Sequence, residues 1–289
     1  MAVVATGFFD GVHLGHRLVT DTLLRAAQER DGRSVIVTFW PHPRTVLQND
    51  ARSFRLLTTL GEKKSLLMAM GVDRVEVLDF SREFSRLTAE QYLRDYVIGR
   101  YGATAIVLGY DNRLGSDRLG PEEIAPLASS LGLEVINVPA VGIISSTKIR
   151  ASLDAGDVQE AAAMLGYRYE LHGVVVAGNR LGRTIGFPTA NMQLYEPLKL
   201  VPANGVYFVE VETLGSHYYG MTNIGVKPTV SGAGVRTIET HIFDFDELIY
   251  GLDIKVRFIR KIRDERRFSS IDALRDQLVS DRSKCLEML

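Results

Sequence analysis

Thr6-Gly7-Phe8-Phe9-Asp10-Gly11-Val12-His13-Leu14-Gly15-His16 is the stretch on which the reading of this chain turns. Behind it lies Ala2-Val3-Val4-Ala5, a short apolar run that predicts a buried strand; ahead of it, Leu18 to Arg30 predicts a helix. The stretch is therefore a strand-to-helix turn that carries glycines and two histidines. The first amides of a helix point outward without partners and bear partial positive charge, so such a turn favours phosphate. Gly15 has no side chain to obstruct close approach of a ligand to the backbone. His13 and His16, three residues apart, can face one pocket. Three readings are open at this point: a tight turn with surface histidines, a metal pair, and a nucleotide site. In the last, imidazoles hydrogen-bond to triphosphate oxygens as a phosphoryl bond breaks. The metal pair lacks a nearby Cys or Glu to complete its ligand set.

Composition narrows the class. With 289 residues, 46% of them hydrophobic and 24% charged, the chain can bury a substantial core, and its length favours two domains. A net charge of −1 provides no global field for nucleic acid or anionic lipid. The single cysteine, Cys285, excludes an internal disulfide framework, disfavours zinc and reads as a half-buried residue of the last helix. The amino terminus lacks the basic segment and apolar run of a signal peptide, and no apolar run reaches the length of a membrane span. The expected compartment is the cytoplasm, with small-molecule substrates, no nucleic acid and no membrane; no pattern specifies an oligomeric state.

The first half alternates strands and helices. Strands are predicted at Val35–Phe39, Val75–Leu78, Ala105–Leu108 and Glu134–Val138. Helices are predicted at Leu60–Met70, from a Thr88/Gln91 capping box to about Tyr101, and at Pro121–Leu131. This alternation implies a parallel sheet with helices on both faces, in which ligands bind beyond the carboxyl ends of the strands. The loops after Ala5, Phe39, Leu108 and Val138 should share that rim. Ala151 to Leu165 predicts one or two helices broken near Gly156. Beyond Gly166 short strands follow at Val174–Val176, Val206–Val211, His217–Tyr219, Thr237–Ile242 and Ile254–Phe258, with no helix until Ile271 to Leu289. The expected architecture is a Rossmann-like α/β domain over 1–165 and a small antiparallel β-barrel with a carboxyl-terminal helix over 166–289.

Further motifs sit on the same rim. Ile144-Ser145-Ser146-Thr147-Lys148-Ile149-Arg150 follows the last strand of the first half. A helix cap explains one hydroxyl; three hydroxyls followed by two cations at a helix start suit phosphate. Thr38-Phe39-Trp40-Pro41-His42-Pro43 and Gly109-Tyr110-Asp111-Asn112-Arg113-Leu114-Gly115 occupy two more of these loops. There is no Gly-x-x-x-x-Gly-Lys-Ser/Thr, so a P-loop does not account for them.

Taken together, His13-x-x-His16 and the Ser-Ser-Thr-x-x-Arg segment resemble the nucleotidylyltransferase superfamily. Adding Phe9-Asp10-Gly11-Val12-His13, Pro41-His42-Pro43 and the Gly109–Gly115 loop, the first half resembles the adenylyltransferase half of the bacterial bifunctional riboflavin kinase/FAD synthetase family. The second half carries Gly178-Asn179-Arg180-Leu181-Gly182-Arg183-Thr184-Ile185-Gly186-Phe187-Pro188-Thr189-Ala190-Asn191, then Asn223-Ile224-Gly225-x-x-Pro228-Thr229, then Ile238-Glu239-Thr240-His241-Ile242-Phe243-Asp244. This ordered set is similar to the family's riboflavin kinase half.

The resemblance implies ATP as co-substrate, Mg²⁺ as cofactor, and riboflavin, FMN and FAD as substrates and products. It implies that His13 and His16 stabilise a triphosphate, and that Gly7, Asp10, Gly11, Gly15, Asp111, Ser146, Thr147 and Arg150 bind nucleotide or phosphate. In the second half it implies that Gly178, Gly182 and Gly186 form a flexible loop over phosphates, that Thr189 and Asn191 organise Mg²⁺ with the nucleotide, and that Glu239 is the general base. Two positions depart from the family pattern: Asn112 and Leu114 stand where members often carry Phe. That departure leaves room for a kinase with a degenerate first domain, while a non-catalytic flavin-binding protein would not need a phosphate cradle and a base together.

Overall fold

The structure is a computed structural model that describes residues 1–47, 54–140, 142–178, 181–227 and 235–289. Asn179, Arg180, Pro228 and Thr229 of the motifs above lie outside the described residues. The chain divides into two compact units, Met1–Ser146 and Thr147–Leu289.

The first unit runs β1 (Ala2–Thr6), α1 (Leu14–Gln28), β2 (Arg33–Trp40), α2 (Pro43–Leu47), α3 (Leu60–Ala69), β3 (Arg74–Asp79), α4 (Ala89–Tyr92), β4 (Ala103–Gly109), α5 (Pro121–Ser130) and β5 (Glu134–Val138). Its strands form one parallel sheet in the order β3-β2-β1-β4-β5. The chain starts in the middle, winds outward to β3 and then returns to β4, so the direction of winding reverses between β1 and β4. A crevice opens beyond the strand ends at such a reversal.

β1 is buried throughout because both faces of the sheet are covered. Successive side chains of a strand point to opposite faces. Val3 and Ala5 accordingly pack with Val19 and Leu23 of α1 and Leu67 of α3, whereas Ala2 and Val4 meet Tyr92, Leu93, Val97 and Ile124. An uninterrupted apolar run is the pattern such a strand requires. α1 starts at Leu14, four residues before the expected Leu18, because His13 caps it. Thr88 and Gln91 form the expected capping box. Past α4 the helix continues over Leu93–Arg100 with a wider turn, closing with Tyr101 N–H donating to Tyr96 O at 3.2 Å.

In the second unit α6 (Ser146–Ala155), which starts at the junction, is followed by α7 (Val158–Leu165). Then come β6 (Glu170–Val176), α8 (Leu181–Thr184), β7 (Ala190–Leu194), β8 (Gly205–Thr213), β9 (Ser216–Lys227), β10 (Val235–Ile242), β11 (Asp253–Arg263) and α9 (Ile271–Leu286). Gly156, at φ 83°, separates α6 from α7, and Asp157 caps the latter by accepting from Glu160 N–H at 2.9 Å. α7 packs against β11, and Ala203 N–H donates to Leu153 O at 2.9 Å, which ties α6 to the segment before β8. Both helices between Ser146 and the boundary expected near Leu165 are thus covers of the second unit.

The six strands close into an antiparallel barrel in the order β10-β7-β6-β11-β8-β9. Closure leaves no free sheet edge. Two elements depart from the sequence expectation. The helical turn α8 interrupts the run of strands, and Ala190–Leu194, absent from the expected strands, is strand β7. α9 is anchored by Asp281, fully buried, which accepts from Arg263 Nε at 2.8 Å and from Gln277 Nε2 at 2.6 Å. Cys285 on the same helix is buried; burial, with Asp281 nearby, pushes its thiol up to about 12, so it stays protonated and unreactive at neutral pH.

Candidate active sites

The turn between β1 and α1 is held in an uncommon backbone shape. Phe9, Gly11 and Val12 have φ of 48°, 86° and 37°. Positive φ is costly for a β-branched residue such as Val12 and persists only where the surroundings over-determine it. Here Phe9 and Val12 are buried in the core beside α1. Gly11 N–H donates to Thr58 Oγ1 at 3.0 Å. Asp10 is also buried, and its Oδ1 accepts from Leu57 N–H at 3.0 Å and Thr58 N–H at 3.1 Å. Asp10 therefore clamps the turn to the segment ahead of α3, and its carboxylate is spent on amides of the protein.

The two histidines form one unit. His13 is the N-cap of α1, its Nδ1 accepting from His16 N–H at 3.3 Å. That bond leaves the neutral ring's proton on Nε2. The rings of His13 and His16 stack at 3.7 Å with 14° between planes. Gly15 makes the stack possible, because a Cβ there would lie 3.2 Å from the His13 ring. His16 keeps a partly exposed edge, but its Nδ1 is sealed from solvent with no hydrogen-bond partner among the described residues. Burial first, then His13 and Lys63, hold the His16 imidazole well below its ordinary value, so it is neutral at pH 7. The first turn of α1 carries no acidic residue, and the amides of Leu14 and Gly15 have no partner among the described residues. The neutral His16 imidazole, the His13 ring stacked on it and a bare helix N-terminus thus converge where an anion is favoured.

His16 sets an acid sensitivity. An unfolded chain takes up a proton on this residue below about 6.5, whereas the folded chain does not, so stability falls as pH drops through that value. Asp73 and Glu212, whose carboxyls are held low by Ser34 and by Lys255 and Arg257, add their losses only at lower pH. Between pH 7 and pH 5 the thermal midpoint of the wild type should fall more steeply than that of His16→Ala; equal slopes would assign the sensitivity elsewhere.

Gly7, Ser146 and Asp111 also belong to this unit. Gly7 N–H donates to Val37 O at 3.1 Å, continuing the β1–β2 ladder. Ser146, the last residue of this unit, donates from Oγ to Asp10 O at 2.9 Å. Thr147 and Arg150 lie on the first helical turns of α6, one and four residues on, and belong to the second unit. Asp111 is exposed at the end of β4, the strand next to β1. The two departures from the family pattern have structural occupations: Asn112 Nδ2 donates to Thr6 O at 3.0 Å, and Leu114 is buried in the core.

In the barrel, a cavity of about 250 Å³ is walled by Gly182, Thr189, Asn223, Glu239, His241 and Arg263, with Phe187 and Phe268 among its apolar residues. Glu239 of β10 stands directly opposite Asn191 of β7 on one side and Asn223 of β9 on the other. Residues opposite one another on adjacent strands share a face, so the three form a row across the barrel, although only Asn223 and Glu239 line the cavity. Thr237 Oγ1 lies 3.3 Å from Glu239 Oε1 as its donor.

The described part of the glycine-rich segment resumes at Leu181. It contains α8, and Phe187 N–H donates to Gly182 O at 2.8 Å. Gly182 is required there, since a Cβ would lie 2.1 Å from Phe187 O. Gly178 leaves room for the Asn191 amide, which a Cβ would meet at 2.3 Å. Gly186 has φ 83°.

Sequence reasoning missed His241 and Arg263. His241 Nδ1–H donates to Pro188 O at 2.8 Å, leaving Nε2 as an acceptor, and burial holds the ring below its ordinary value. Arg263 ends β11 within a charged run that alone reads as a solvated face; only the ion pair with Asp281 turns it to the cavity wall.

Comparison with known proteins agrees with this division. Residues 1–152 match the FAD synthetase family model and residues 165–289 match the riboflavin kinase family model. A bifunctional riboflavin kinase/FMN adenylyltransferase of Bacillus subtilis is 36% identical, over 99% of this chain and 92% of its own. The Escherichia coli K12 protein of that name is 37% identical, over 96% and 90%. A crystal structure from Streptococcus pneumoniae, described as a macrolide-efflux protein, superposes with a TM-score of 0.91 at 37% identity, covering 98% of this chain and 92% of that one. Among the described residues no helix is long and apolar enough to cross a membrane. With both halves matched in order and the likeness running nearly end to end, this chain belongs to the bifunctional riboflavin kinase/FMN adenylyltransferase family.

Proposed function

We propose that the family's two reactions are divided along this chain: residues 1–165 transfer AMP from ATP to FMN with release of pyrophosphate, and residues 166–289 transfer the γ-phosphoryl of ATP to the ribityl hydroxyl of riboflavin. The observation that carries this reading is that each unit holds its own phosphate-ready chemistry: the stacked histidine pair at a bare helix start in one, and the Asn191–Glu239–Asn223 row in the other.

In adenylyl transfer the attacking FMN phosphate is already anionic at neutral pH, so no strong base is needed. Alignment and neutralisation of developing charge carry the step. His13 and His16 donate hydrogen bonds to the triphosphate, the α1 amides receive phosphate oxygens, and Ser146, Thr147 and Arg150 hold the remainder of the polyphosphate. Asp111 contacts nucleotide or metal. Asp10, Gly7, Gly11 and Gly15 act by shaping the turn.

In the kinase half Glu239 accepts the proton of the attacking hydroxyl. Thr189 and Asn191 present a hydroxyl and an amide oxygen, donors that suit magnesium, which keeps several waters and takes phosphate oxygens. The remaining magnesium ligands would come from nucleotide phosphate and solvent. Bound Mg²⁺ supplies charge neutralisation at the transferring phosphoryl group. Dependence on ATP suits the cytoplasm.

The test is chromatography of product mixtures. Riboflavin with ATP and Mg²⁺ should yield FMN transiently and then FAD, and FMN with ATP and Mg²⁺ should yield FAD. FMN alone from the first mixture and nothing from the second would reduce the first unit to a scaffold.

A further inference from the structure

A buried ammonium group lies beneath the phosphate turn, and the roles above leave it unused. Lys63, in the first turn of α3, is 3% exposed. Its Nζ donates one hydrogen bond, to Thr38 Oγ1 at 3.3 Å, and it makes no ion pair among the described residues. Lysine is almost never fully buried without a partner, because removing its charge from water is costly. Its position is imposed by the fold. α3 opens at Thr59 with a capping box in which Glu62 N–H donates to Thr59 Oγ1 at 3.1 Å and Thr59 N–H to Glu62 Oε2 at 2.8 Å. That start directly follows Leu57 and Thr58, the residues gripped by Asp10. The clamp that shapes the turn therefore also delivers Lys63. Thr38, the acceptor, passes its own hydroxyl proton to Phe8 O at 3.2 Å, so the chain of bonds ends on the backbone of the turn.

We propose that Lys63 is a positioning residue for adenylyl transfer, a fixed buried cation whose counter-charge is the polyphosphate of the bound nucleotide, acting through Thr38 and the turn that carries His13 and His16. The inference rests on the reading of that turn as the phosphate site. Burial lowers Lys63 to about 8, with Asp10 opposing, so at neutral pH it remains mostly charged; its charge is also one of the causes that keep His16 neutral. A cation stripped of water and held in no ion pair, with the attraction of an Asp10 carboxylate already bonded to the Leu57 and Thr58 amides, destabilises the empty fold and favours an arriving anion. Stability and affinity are thereby set against each other, which a merely structural lysine would not do.

The experiment uses Lys63→Met in the full chain, with pyrophosphate as the probe of bare polyphosphate binding. Without ligand, the thermal midpoint should equal or exceed that of the wild type, and the rise produced by pyrophosphate should shrink. In FMN adenylylation KM for ATP should rise about tenfold, the effect of one lost charge-assisted contact, with KM for FMN unchanged. Riboflavin phosphorylation by the same chain should stay within about twofold of the wild type. Unchanged KM for ATP and an unchanged response to pyrophosphate would overturn the proposal, as would a rise in KM for FMN alone. If K63M does not fold, Thr38→Val, which cuts the link to the turn, carries the test: an unchanged KM for ATP overturns it. His16→Ala serves as the control. If H16A retains adenylylation, the reading of the turn itself fails; if H16A loses it while K63M does not, only the role of Lys63 fails.

Discussion

His16→Ala should lower FMN adenylylation by about 10²–10³-fold, the usual cost of removing one preorganised donor from a developing charge, while riboflavin is still phosphorylated and FMN accumulates. The expectation follows from the ring's environment. With Nδ1 sealed and unpartnered and burial disfavouring the charged form, His16 offers one working edge, as a neutral donor. The side chain is locked between the His13 ring and Phe9, 5.2 Å away, so little reorganisation is needed when phosphate arrives. The loss should appear in kcat more than in KM for ATP, because the interaction strengthens as charge builds on the leaving pyrophosphate. Assaying FAD and FMN in one mixture separates the outcomes. A folded His16→Ala protein that makes FAD at the wild-type rate would remove the histidine pair from the mechanism, and one that made neither product would contradict separate sites.

Glu239→Gln should stop FMN formation, with a fall of about 10²–10⁴-fold as expected for loss of a general base, while supplied FMN is still converted to FAD. The amide keeps the shape and most hydrogen bonding of the carboxylate but cannot take the hydroxyl proton. Thr237 and the Asn191 and Asn223 neighbours should hold it in place, so the barrel keeps its stability. Equal thermal midpoints for variant and wild type, alongside the lost kinase rate, would assign the effect to chemistry. A variant that phosphorylated riboflavin normally would require another base; His241, with Nε2 free to accept on the same cavity wall, would then be the residue to replace.

The sequence by itself determined the sheet, the barrel and the order of the motifs. β1 was legible because a strand covered on both faces must be apolar throughout, and the carboxyl-terminal strands because turn residues punctuate them at short intervals. Thr88 with Gln91 marked a helix start because capping is local chemistry. What the sequence could not carry was every feature decided by residues far apart in the chain. Asp10 reads as a phosphate contact until Leu57 and Thr58, 47 and 48 residues away, are found to occupy it. Asn112 reads as a lost aromatic until its amide meets Thr6 O, 106 residues away. Strand β7 was hidden because Pro188 and the preceding glycines signal a turn, while its pairing with β6 and β10 comes from the closed barrel. Lys63 was silent because burial, not residue type, sets it apart: in an amphipathic pattern a lysine reads as solvated, and only the packed tertiary structure strips the water from it.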